Sequence, residues 1–159
     1  MSRATERRWQ PPRFVDETFD EDRVRRGLVA QHELLRARLA ALDAQALEIV
    51  RGGSCTPAEL AEGFGGLAAL LADHMRNEEG ALAQLLPRTA AAARALAFVR
   101  DEHRRQRQEL EAMSRLAARG DDAITLALAV RAFVCDVRLD MDAEDSRYLA
   151  GPPLEGALP

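Results

Sequence analysis

The chain has three histidines, His32, His74 and His103, and each falls in step with leucines or valines at helical spacing. His32 comes four residues after Leu28 and three before Leu35, His74 three after Leu71, and His103 four after Val99. Acids enter the same stripes. Glu78 lies four residues after His74 and four before Leu82, Asp140 three after Val137, and Glu144 four after Asp140. A helix turns once every 3.6 residues, so residues three or four apart share a face. The six groups are therefore expected to face the core. Burying an uncompensated carboxylate is costly, and a half-satisfied polar cluster is worse than an apolar one. A lone core histidine is more often a hydrogen-bonded structural residue than a ligand. Six such groups on four stripes need a common partner. Three imidazoles and three carboxylates without a thiolate make a nitrogen–oxygen donor set suited to iron or manganese, with zinc also possible. Two ions sharing bridging carboxylates fit the ligand count.

The elements that must position these groups follow from the punctuation of the chain. Ala, Leu, Arg and Glu dominate and β-branched residues are scarce, which favours helix throughout. A first helix is expected over about 21–50, stopping at Gly52-Gly53. Thr56-Pro57-Ala58-Glu59 reads as a capping box with Pro at the first helical position. The second helix starts there and ends before Pro87. Gly63, Gly65 and Gly66 weaken its first turns, as a kink or as a loose start. A third helix spans about 90–119, and Asp121 or Asp122 caps a fourth that runs to about 149, before Gly151-Pro152-Pro153. The apolar stripes are Leu28, Leu35 and Leu39; Leu67, Leu71, Leu82 and Leu85; Leu96, Val99, Leu110 and Met113; and Leu126, Val130, Phe133 and Val137. Four helices of similar length with short connections predict an all-α fold, an antiparallel up-down four-helix bundle. Its division is an extended N-terminal arm over 1–20 with Pro11-Pro12, the bundle over 21–150, and a tail over 151–159. With alternating helix directions and about 1.5 Å of rise per residue, all six groups fall between roughly 12 and 21 Å along the bundle axis, one layer.

Composition narrows the function classes. The chain has 159 residues, 47% hydrophobic, 30% charged and 4% aromatic, with a formal net charge of −4. That suits one domain with a real core. The 22 basic residues, all Arg, are interspersed with acids, which argues against a nucleic-acid partner. No apolar run approaches the roughly 18 residues of a membrane span, and no secretory signal is visible. Cys55 and Cys135 form no CxxC pattern, so a disulfide scaffold or a cysteine zinc site is not expected and a cytoplasmic setting is. Cys135 is expected to be a buried small side chain and Cys55 a loop thiol.

At this point the residues resemble the hemerythrin-like (HHE cation-binding) family, from about residue 21 to 149. Leu71-Ala72-Asp73-His74-Met75-Arg76-Asn77-Glu78-Glu79 is similar to its second-helix H-x-x-x-E-E signature. Gln31-His32-Glu33-Leu34-Leu35 resembles its first-helix histidine element, and Asp101-Glu102-His103 its third-helix E-H element. Arg138-Leu139-Asp140-Met141-Asp142-Ala143-Glu144-Asp145 resembles the fourth-helix H-x-x-x-E-E element, with Asp140 where the family has His. The resemblance implies a non-haem di-iron centre held by His32, His74, His103 and Asp140, with Glu78 and Glu144 as bridging carboxylates. Asp145 is the rival fourth-helix acid. It also implies dealings with a small diatomic ligand or peroxide: binding or sensing oxygen, sensing iron, answering nitric oxide, or handling peroxide in oxidative stress. Oxygen carriers of the family have a second third-helix His where this chain has Arg107. More negative ligands favour the ferric state and weaken reversible dioxygen binding. The alternatives are a metal-poor bundle acting as an interaction or regulatory module, and a mononuclear zinc or manganese protein.

Overall fold

The computed structural model describes residues 20–119 and 122–149. Apart from Asp20, the expected arm lies outside the described residues, as does the tail. Among the described residues the chain folds into α1 (Glu21–Val50), α2 (Pro57–Leu85), α3 (Ala90–Arg119) and α4 (Ala123–Glu144). A single π-helical turn, Asp145–Leu149, continues α4. α1 packs against α2 and α4, and α3 against the same two, the arrangement of an up-down four-helix bundle.

The helix limits have local causes. Asp20 caps α1, its carboxylate accepting from the Arg23 amide at 2.9 Å. α1 ends at Val50, and just beyond its cap Gly52 takes a φ of +72°, a left-handed conformation that glycine adopts without a Cβ penalty. The capping box forms as expected. The Glu59 amide donates to the Thr56 hydroxyl at 3.2 Å and the Thr56 amide to the Glu59 carboxylate at 2.8 Å. Asp122 caps α4 through the Thr125 amide at 3.1 Å. The glycines of α2 do not interrupt it, and Gly63 has a packing reason. A Cβ there would stand 2.6 Å from the Gln45 amide oxygen and 3.3 Å from Leu42, so the missing side chain leaves room for these two side chains of α1.

The predicted stripes are buried, except that Leu96 is half-buried. The core is in two parts. A large cluster from all four helices includes Leu39, Leu71, Met75, Val130 and Met141. A smaller one at the other end holds Leu28, Leu82, Leu85, Val99 and Leu149, with Tyr148 packed against it. Each fully buried leucine of this kind contributes about 1.5–3 kcal/mol. Cys135 corrects its expectation: it is exposed on α4, because the buried positions of that turn go to Phe133, Val134 and Val137. No helix among the described residues is long and apolar enough to cross a membrane.

Candidate metal centre

Among the described residues, the buried polar ones are His32, His74, Glu78, His103 and Glu144, together with Gln106. α1 supplies His32, α2 supplies His74 and Glu78 one turn apart, α3 supplies His103 and α4 ends on Glu144. Their polar ends meet. The Nε2 atoms of His32 and His74 are 3.1 Å apart. Glu78 Oε2 lies 3.4 Å from His74 Nε2 and 3.3 Å from His103 Nε2, and its Oε1 lies 4.0 Å from His32 Nε2. Glu144 turns Oε2 towards His32 at 3.8 Å and Oε1 towards His103 at 3.6 Å. The two carboxylates thus stand between His103 on one side and the His32–His74 pair on the other. One donor atom from each of His32, His74, Glu78 and Glu144 falls within 4.8 Å of every other.

The outer edges of the rings are also held. His32 Nδ1 is 2.6 Å from Asp145 Oδ1, His103 Nδ1 is 3.0 Å from Glu79 Oε1, and His74 Nδ1 is 3.1 Å from Gln31 Oε1. An ionised carboxylate and an amide oxygen only accept, so each Nδ1 donates outwards. A neutral ring that donates from Nδ1 carries its lone pair on Nε2, facing the cluster. Two such lone pairs 3.1 Å apart repel unless a proton on one ring or a metal ion lies between them. Both oxygens of Glu78 are buried and receive no hydrogen bond; His74 and His103 face them without the alignment one needs. Donors about 2.0–2.2 Å from one ion stand roughly 3–4 Å from each other, the spacing seen here. The residues present therefore fit a bound metal.

The electrostatics of the metal-free cluster agree. Burial pushes Glu78 up, but the imidazoles of His103 and His74 outweigh it and hold its carboxyl down at about 2. Burial works against a charge on His103, yet Glu144 and Glu78 prevail and push it up to about 10. Burial pushes the Glu144 carboxyl up, and the Glu78 charge adds to this. The proton on His103 thus does part of the work a metal cation would do beside Glu78.

Five of the six residues expected from sequence are brought together. Asp140 is not: its Oδ2 accepts from Gln106 at 2.9 Å and Arg105 at 3.2 Å, on the α3–α4 edge. The core stripe of α4 runs from Val137 to Met141 to Glu144, which turns Asp140 aside. Of the two rival acids, Glu144 faces the cluster and Asp145 holds His32 from behind. The residues that sequence reading missed as ring partners are Gln31 and Asp145. Glu79, which appears in sequence only as the last residue of the second-helix signature, is the third ring partner. A signal existed: each is the chain neighbour of an inward residue (His32, Glu144 and Glu78), about 100° round the helix. Arg104 is solvated and paired with Asp101, whereas Arg107 turns to Glu79. Cys55 is a loop thiol, and burial with the charges of Glu59 and Glu48 pushes it up, away from reactivity.

The model of the hemerythrin HHE cation-binding domain matches residues 23–150. Neither the comparison with curated proteins nor that with solved structures returns a match. The family match covers most of the chain and every residue of the cluster, so the chain belongs to the hemerythrin HHE cation-binding family.

Proposed function

We propose that the protein is a non-haem di-iron protein that handles or senses dioxygen, peroxide, nitric oxide or iron. The observation that carries this reading is Glu78: a fully buried carboxylate with two unsatisfied oxygens, faced by three imidazoles. His32 and His74 would hold one ion, His103 the other, and Glu78 and Glu144 lie where each can serve both. Ferrous ions bound there would supply electrons to a small oxidant. The chain's own part is to orient the donors and to keep water away with apolar packing on both sides. Gln31, Asp145 and Glu79 keep the Nε2 atoms pointing inwards. We place this activity in the cytoplasm, where Cys55 and Cys135 stay reduced.

Metal analysis and the optical spectrum of protein produced with iron test the reading. The expected result is about two irons per chain with oxo-bridge absorption after oxidation; below about half an ion per chain the reading fails. A second reading rests on the tighter subset of His32, His74, Glu78 and Glu144, which could hold a single zinc or manganese ion. One ion per chain, of either metal, would favour it.

A further inference from the structure

We propose that Asp145 and Glu79 are positioning residues, which act on the bound metal through His32 and His103 rather than by touching it. This rests on the metal-centre reading above. Asp145 uses Oδ1 for His32 Nδ1 at 2.6 Å and Oδ2 for the Arg36 guanidinium at 2.7 Å. Arg36 is tied in turn to Asp142 at 2.6 Å. Both oxygens of Asp145 are therefore committed away from the cluster. Glu79 has the same arrangement on the opposite side. Its Oε1 accepts from His103 Nδ1 at 3.0 Å and from Arg107 at 2.6 Å, and its Oε2 faces Arg100 at 3.9 Å. The residue that stands where oxygen carriers have a further histidine, Arg107, thus serves to pin the acid behind His103.

The backbone explains how adjacent acids divide the roles. Glu144 is the last residue of α4 and Asp145 the first of the π turn. Consecutive side chains point about 100° apart, so the two reach opposite edges of the His32 ring. π turns inside helices often occur at functional sites. The carboxylates fix the tautomer, lock the ring orientation and make Nε2 a stronger donor. His74 has only the neutral Gln31 behind it. Two of the three rings are thus backed by charge and one is not.

The test uses zinc as the probe, measured by competition with a chelator, and side-chain nitrogen NMR of the three histidines. The unmodified chain should show hydrogen-bonded Nδ1–H signals for His32 and His103, with or without zinc. Asp145→Ala should erase the first and Glu79→Ala the second, each weakening zinc binding about 10–100-fold with the number of ions unchanged. Asp145→Asn and Glu79→Gln keep an acceptor oxygen, so they should restore the Nδ1–H signal but only part of the affinity. If Asp145→Ala removes an ion, as Glu144→Gln does, Asp145 is a ligand and the proposal is overturned. Unchanged signals and affinity within about threefold overturn it too. If the unmodified chain binds no zinc, the iron analysis above decides the metal reading separately, while the Nδ1–H signals of the metal-free protein still decide which groups hold the rings. Should an Asp145 variant not fold, the Glu79 variants, on another helix, carry the test alone.

Discussion

Glu78 and His103 face each other at 3.3 Å in the middle of the bundle, and their titration should set the pH response of the metal-free protein. The folded carboxyl of Glu78 is held at about 2 against an ordinary 4.5, so its stabilisation is full above about pH 4.5 and lost as pH falls towards 2. His103 is raised to about 10 from 6.5, so its stabilisation is full below about pH 6.5 and lost as pH rises through 10. Urea unfolding of chelated protein should therefore show greatest stability near pH 4.5–6.5 and a decline by pH 9–10. Zinc binding should release protons over that upper range. Glu78→Gln removes the central anion and is expected to weaken zinc binding by more than about a hundredfold in the same competition assay. Asp140→Asn is expected to leave the number of bound ions unchanged, since Asp140 serves Gln106 and Arg105. The spacing of histidines and acids carried five of these residues. Asp140 was not separable from them, because steps of three and of four both keep to a helix face. Only packing reveals that Met141 takes the inward place.

Helix α2 holds two donors and also four glycines, whose surroundings differ, so these glycines have unequal meanings. Gly63→Leu would drive a side chain into Gln45 and Leu42, with an expected loss of about 1–3 kcal/mol from overpacking. Gly65 meets nothing within 4 Å, so Gly65→Ala should gain about 0.5–1 kcal/mol through helix propensity. Denaturant midpoints of the two variants should move in opposite directions. Capping residues, glycines and prolines made the helix limits readable, because each acts on the backbone within a few residues. The packing role of Gly63 was not readable, since it depends on the side chains that α1 presents opposite it. The π turn was likewise hidden: nothing in Asp145-Ser146-Arg147-Tyr148-Leu149 distinguishes it locally from another turn of α4.

For the whole bundle, the polar layer divides one hydrophobic core into two and makes stability depend on the ion. A ligand that binds only the folded state at a hundred times its dissociation constant adds about 2.7 kcal/mol, or roughly 5–10 °C in melting temperature for a domain of this size. Calorimetry with zinc and with chelator should show that difference, and Glu78→Gln should abolish it. The donors are also spread over all four helices, with Glu144 at the end of the fourth. This orders events during synthesis. A nascent chain that has released α1 to α3 from the ribosome carries the histidines but lacks Glu144, and so cannot yet close the cage. Capture of the ion by the complete cage then marks the arrival of α4.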